Sequence, residues 1–272
     1  MSISALRYYL PLYFRLVYAQ LRSAMQYRVS FVADMLGTLL LSGLDLAMVA
    51  ILLTRFSAIG DWTLAEVLFL YGASCVSFSI AELLVGGFDD FDSWVVRGEF
   101  DQVLLRPLPI VFQMVTARFH ARRIGRLIQG LAALVLALSL LQTAWGPGKV
   151  AFFALMLASG VAVFVAIFIA GATLSFWAPN ASEAINMFTY GGQFATSYPM
   201  HIYQQWMLSV FTFIIPLAFI NYYPSLYLLD KPDPFGLPAF MPFISPLVAI
   251  AALRLAIGIW RFGVNHYQST GT

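Results

Sequence analysis

Asp34 and Asp45 stand eleven residues apart in one apolar run, Glu82 closes a second, Arg126 opens a third and Arg254 lies inside the last. Ionisable side chains so placed can line a polar substrate path, relay protons, or pair with one another across helices. Eleven residues is close to three helical turns, so Asp34 and Asp45 share a side, which Thr38 and Ser42 extend. A mid-bilayer Asp facing lipid costs about 2.5–3.5 kcal/mol even on a permissive insertion scale, so this stripe is expected to face protein or water. Glu82, Arg126 and Arg254 are its candidate partners, and Asp34, Glu82 and Arg254 are expected at comparable depths. Acids and bases nearly balance within the apolar runs, which ion pairing explains without transport chemistry.

Other chemistry is missing. No GxxxxGK[ST] phosphate loop occurs; GPGKV at 146–150 lacks the first glycine and the Ser/Thr, so the chain is not expected to hydrolyse ATP in that manner. His120, His201 and His266 have no metal-ligand spacing, and no GxSxG elbow is present, so neither a metal site nor an enzyme is expected. The single cysteine, Cys75, excludes an internal disulfide framework. One polar cluster is dense: GFDDFDSWVVRGEFDQVLLRPLP, residues 87–109. Phe88, Phe91, Trp94 and Val95 recur at helical spacing with Asp89, Asp90 and Asp92 between them, which suits a short amphipathic helix. Gly98 breaks it, Glu99 to Leu105 add a turn or two, and Pro107 and Pro109 stop that. Such a segment is either a solvated loop with a membrane-dipping face or a surface made for another protein.

The elements that hold these residues follow from composition. Only 10% of the 272 residues are charged and the mean hydropathy is +0.81, where a soluble domain carries about 25% charge. A span needs about 20 apolar residues, which allows about six spans in a single all-α domain. They are expected near 30–53, 64–85, 110–141, 150–176, 206–222 and 243–262. Residues 1–28 interleave Arg7, Arg15, Arg22 and Arg28 with tyrosines and suit a helix lying in the headgroup region rather than a cleavable signal peptide. Residues 223–242 are rich in proline and aromatics. Four arginines precede the first span, six (Arg97, Arg106, Arg118, Arg122, Arg123, Arg126) lie between spans two and three or at the start of three, and Arg261 closes the sixth; only Arg55, Lys149 and Lys231 fall on the other side. That bias places both termini and residues 87–109 in the cytoplasm.

GEFDQVLLRPLP resembles the G-x-(hydrophobic)-D-x-x-L-x-(R/K)-P cytoplasmic segment of ABC-2-type permeases, the membrane subunits of bacterial ABC exporters. The run TSYPMHIYQQWMLSVFTFIIPLAFINYYPSLYLL, from Thr196 to Leu229, is similar to a YP…IY…W…(F/I)IP(L/V)AF…YYP run of one branch of that family. The resemblance implies a six-helix half-transporter in the bacterial inner membrane. Its core would be completed by a second permease subunit, identical or homologous, and driven by two copies of a separate ATPase that binds ATP and magnesium; this chain itself binds no cofactor. Residues 87–109 would be the coupling helix, with Gly98, Asp101, Leu104, Arg106 and Pro107 at the motif positions and Phe88, Asp89, Phe91 and Trp94 facing the ATPase. Asp101 and Arg106 either brace each other or grip that partner. Residues 223–242 would form a partly re-entrant segment on the outer side. A proton-driven secondary transporter acting alone is the competing expectation; it predicts inverted repeats, and the sequence contains none.

Overall fold

The computed structural model describes residues 3–55, 61–117, 122–178, 182–233, 235, 236 and 238–268, and no β-strand occurs among them. In chain order the helices are α1 (Ile3–Ala24), α2 (Arg28–Arg55), α3 (Leu64–Leu84), α4 (Gly86–Asp89), α5 (Phe91–Val96), α6 (Glu99–Leu104), α7 (Ile110–Ala117), α8 (Arg122–Leu140), α9 (Pro147–Leu174), α10 (Ser182–Thr196), α11 (Gln205–Ser209), α12 (Tyr222–Leu228) and α13 (Ser245–Asn265). Arg118 and His120 lie outside the described residues, as do the side chains of Asp45, Arg55 and Arg122.

α3 is the centre of the bundle. Its composition is apolar on every side, and it is buried over most of its length. α8 crosses it closely because Gly72 faces Leu134 and Gly130 faces Cys75 and Val76; a Cβ at either glycine would sit 2.8 Å from its neighbour. Small residues at such crossings let helices gain dispersion contacts that lipid tails cannot replace. α9 packs on the other side of α3, α2 packs on α8, and α13 packs on α9. The long helices therefore form a row in the order α2, α8, α3, α9, α13. α10 leans against α9 and α3, and α1 is tied to α7 by Tyr9 against Phe112 and by Gln20 donating to the Thr116 carbonyl.

Among the described residues four helices are long and apolar enough to cross a membrane, α3, Arg123–Leu140 of α8, α9, and α13 with the 3₁₀ turn before it, or five if the bent pair of residues 205–228 counts as one span. α2 has 28 residues, about 42 Å of helix. A straight span over 206–222 is not what forms. Gln205–Ile214 and Leu217–Leu228 meet at 76°. Pro216 has no N–H to donate and the residues before it, Val210–Ile214, wind as a π-helix, so the ladder stops at Ile215. The second limb is buried and Asn221 donates from Nδ2 to the carbonyls of Leu70 (3.0 Å) and Thr196 (2.7 Å). Irregular backbone at membrane depth is tolerated where protein covers it in this way.

The chain after α12 is clasped to the end of the bundle farthest from residues 87–109. Lys231 bonds Glu66 (3.1 Å) and the Asp61 carbonyl (2.6 Å) and sits over the Trp62 ring, while Lys149 bonds Asp230 (2.6 Å) and the Leu228 carbonyl. Glu66 also accepts the Thr63 N–H at the start of α3.

Candidate functional site

Residues 86–104 fold as three short helices, α4, α5 and α6, lying across one end of the bundle. Apolar rings on all three turn inward. Phe91 packs edge-on against Phe100 (5.0 Å between centroids), Phe176 (5.1 Å) and Trp260 (4.9 Å). Phe88 meets Trp260 at 4.9 Å and Phe100 meets Tyr267 at 5.0 Å. Phe88, Phe91, Phe100 and Trp260 are all at most 2% exposed. Edge-to-face pairs of this kind add about 0.5–1.5 kcal/mol each beyond their burial. Phe88 and Phe91 thus anchor the segment to α9 and α13 of their own chain and do not face outward, because a fully apolar ring loses more by standing in water than by joining this cluster. Trp94 is half-buried beside them.

Gly98 takes φ +68°, the left-handed turn that folds α6 back so that Phe100 reaches Phe91. Gln113 of α7 donates to the carbonyls of Val103 (3.0 Å) and Leu108 (2.9 Å), fixing the end of α6. Asp101 faces the Tyr267 hydroxyl, which burial and then this carboxylate raise above the usual phenol range. Arg106 does not brace Asp101. It is exposed and makes no ion pair among the described residues.

Beneath the segment lies a buried ion cluster. Arg123 of α8 donates from Nη1 to the Glu82 carbonyl (2.8 Å) and from Nη2 to Asp89 Oδ2 (2.8 Å), and its Nε lies 3.1 Å from Glu82 Oε1. Arg126 binds Glu82 Oε2 at 2.9 Å and stands over the rings of Phe78 and Tyr190. The Tyr190 hydroxyl reaches both Glu82 (3.1 Å) and Asp89 (2.9 Å). Two carboxylates meet two guanidinium groups, so the cluster carries no net formal charge and joins α3, α4, α8 and α10. Asp89, at the outer edge of the acidic segment in sequence, belongs to this cluster. Burial raises its carboxyl above the usual range against the opposing pull of Arg123.

That shift has a direction. A carboxyl whose folded pKa is raised binds its proton more tightly in the folded chain, so its burial penalty is present at neutral pH and fades as pH falls through the raised value. Asp89→Asn keeps acceptors for Arg123 and Tyr190 without the buried charge. It is expected to change thermal stability at pH 7 by less than about 1 kcal/mol and to flatten the stability curve on the acid side; unchanged acid dependence would contradict this role.

The outer face of the segment is different in kind. Val96, Arg97, Leu104, Leu105, Arg106 and Pro107 are exposed, Leu105 at 85%. Among the described residues Arg97 makes a loose 3.8 Å surface pair with Glu99. An apolar patch flanked by arginines, on a base braced by rings and ion pairs, can receive a contact and pass its displacement to the helices.

Asp34 and Arg254 are not in the cluster. α2 turns Met35 and Leu39 toward Gly125 of α8, and Asp34 falls off that face and is exposed. α13 buries Ala249, Ala256, Trp260 and Gly263, and Arg254 lies two residues, about 200°, from Ala256 and is exposed. Sequence reasoning missed Arg123 and Tyr190 as cluster members and Phe176, Trp260 and Tyr267 as ring partners. Arg123 and Arg126 are three apart on one helix face, a signal that was present. Nothing local marked the other four.

Residues 39–271 match the family described as ABC-2 family transporter protein. No curated protein and no solved structure matches the chain.

Proposed function

The chain belongs to the ABC-2 family of transporter proteins, and from that membership we propose that it is the transmembrane permease subunit of an ATP-driven exporter. In this reading it crosses the bacterial inner membrane six times. α2, α3, α7 with α8, α9, the bent α11–α12 pair and α13 serve as the spans, α1 lies at the interface, and both termini are cytoplasmic, as the arginine distribution requires. A second permease subunit completes the core. ATP and magnesium belong to two copies of a separate ATPase subunit, and this chain carries no reacting group.

The observation that carries the reading is the two-faced construction of residues 86–107. Its inner face is tied to α3, α8, α9, α10 and α13 by buried rings and ion pairs. Its outer face presents Leu104, Leu105 and Arg106 to whatever lies below. Motion delivered there enters five helices at once. Of the residues the sequence pattern assigns to coupling, Leu104, Arg106 and Pro107 form the contact in this proposal, while Phe88, Asp89, Phe91, Gly98 and Asp101 hold it rigid.

The test is purification of the tagged chain from its native membrane, with mass spectrometry of what accompanies it. An ATPase subunit bearing a GxxxxGK[ST] loop is expected. Leu105→Asp, at a side chain 85% exposed, is expected to weaken its retention and its permease-stimulated ATP hydrolysis roughly tenfold or more, the loss typical of a central contact residue. Transport by the purified chain alone, driven by a proton gradient in liposomes, would overturn the proposal.

A further inference from the structure

α1 has two unlike faces. Tyr9 and Gln20 lie on one of them and tie α1 to Phe112 and to the Thr116 carbonyl of α7. Arg7, Pro11, Phe14, Arg15, Tyr18 and Arg22 fall within roughly 100° of one another on the opposite side, at 3.6 residues per turn. All six are exposed, Phe14 at 61% and Tyr18 at 66%. Residues 1–33 contain four arginines and no acid; Asp34 is the first. Among the described residues Arg7, Arg15, Arg22 and Arg28 make no ion pair and no side-chain hydrogen bond. The outward face is therefore cationic and aromatic together, and its counter-charge must come from outside this chain.

The charge gathers where α1 ends. The chain passes through the 3₁₀ turn Met25–Tyr27 into α2. Tyr18, Leu21, Arg22, Met25, Gln26 and Arg28 line a hollow of about 430 Å³ there. Two guanidinium groups, an amide and a phenol supply donors, and no carboxylate stands on its walls. Guanidinium forks match phosphate oxygens two at a time. Leu21 and Met25 add apolar wall, which the glycerol and upper acyl carbons of a lipid would cover and a free phosphate would not.

We propose that this hollow binds the phosphate headgroup of an anionic phospholipid, with the rest of the outward face of α1 lying along the same leaflet. Anionic lipids attract juxtamembrane basic residues, and Phe14 and Tyr18 suit the depth of the headgroups. The bound lipid has a route to residues 86–107. α7, which holds α1 through Phe112 and Thr116, also donates from Gln113 to the carbonyls of Val103 and Leu108, and its Met114 backbone lies against Gly87. A headgroup that fixes α1 thereby steadies the helix on which α4 and the end of α6 rest. This rests on the reading that sets α1 at the membrane surface, and it adds a ligand to that reading.

The purified chain in detergent is titrated with phosphatidylglycerol, phosphatidylethanolamine or inorganic phosphate, and bound molecules are counted by native mass spectrometry. Phosphatidylglycerol is expected to bind most tightly. Arg22→Gln combined with Arg28→Gln is expected to weaken that binding about tenfold or more, the scale of two lost arginine–headgroup attractions. Arg254→Gln combined with Arg261→Gln removes the same charge from exposed positions on α13 and is expected to leave it unchanged. Added phosphatidylglycerol is also expected to slow proteolysis within 86–107 in the wild-type chain and not in the Arg22→Gln, Arg28→Gln chain. The proposal is overturned if phosphatidylethanolamine binds as tightly, if inorganic phosphate at equal concentration displaces the lipid, if the two double variants lose equally, or if the lipid protects 86–107 to the same extent in both chains. No ATPase is present in any arm. Failure here therefore leaves the exporter reading standing, and failure of ATPase retention leaves the lipid site standing.

Discussion

Replacing Arg123 with methionine is expected to be the most damaging single change at the end of the bundle that carries residues 86–107. Arg123 is 3% exposed; its guanidinium donates to the Glu82 carbonyl and to Asp89 and lies in ion-pair range of the Glu82 carboxylate. Methionine fills the space but leaves two carboxylates buried with only Arg126 and Tyr190 to meet them. Removing one partner of a buried ion pair costs about 3–5 kcal/mol, because the other charge remains in a poor solvent. For a chain of this size the fall in Tm is roughly 10 °C, readable in detergent by unmasking of Cys75 to a thiol-reactive dye. Lysine at 123 keeps the charge but cannot span Glu82 and Asp89 with a planar fork, so it is expected to fall between the two. Combining Arg123→Met with Glu82→Gln should be milder than the sum of the single changes, since the orphaned charge is then removed. A wild-type Tm for Arg123→Met would sink this account of the cluster.

The second large effect is expected at Gly87, where α4 lies on α7. A Cβ at this position overlaps the Met114 carbonyl oxygen and comes within 3.0 Å of the Ala117 Cβ. The obstacle is mainly backbone, so no rotamer change relieves it and α4 must lift off. Gly87→Ala is expected to cost about 3 kcal/mol, the upper range for overpacking, and to loosen the end of the segment nearest α3. Limited proteolysis should then cut within 87–109 far faster, and ATPase stimulation should fall even though the outward-facing residues are unchanged. Gly148→Ala, with nothing within 4 Å of the added methyl, is the matched control. Equal protease resistance in the two variants would show that α4 is not held where the structure places it.

The sequence made the membrane class legible because 10% charge leaves no other solvent for the chain. The long helices followed from apolar runs of sufficient length, and the turn at Gly98 from its position between two helical patterns. The straight fifth span failed at Pro216. Hydropathy sums over a window and is blind to one missing N–H, which is what sets the 76° turn. The acidic segment was legible as amphipathic helices but its inner and outer faces were exchanged. Periodicity tells that Phe88 and Phe91 share a face; it does not tell whether that face meets another protein or Trp260, because the deciding partners are more than 80 residues away. Arg123 was read as an orienting charge for the same reason. Its worth depends on Asp89 and Glu82 arriving beside it, and that is a tertiary fact.

The ring cluster under α5 also fixes when the outer face of residues 86–107 can exist during synthesis. Phe91 and Phe100 leave the ribosome long before Trp260 and Tyr267 do; 160 residues separate Phe100 from Trp260. At about 5–20 residues per second that interval is roughly 10–30 s. Until the last helix is inserted, the segment has its charges but not its keystone, and α5 has no floor to rest on. A nascent or truncated chain therefore presents Leu104, Leu105 and Arg106 on a support that has not yet formed.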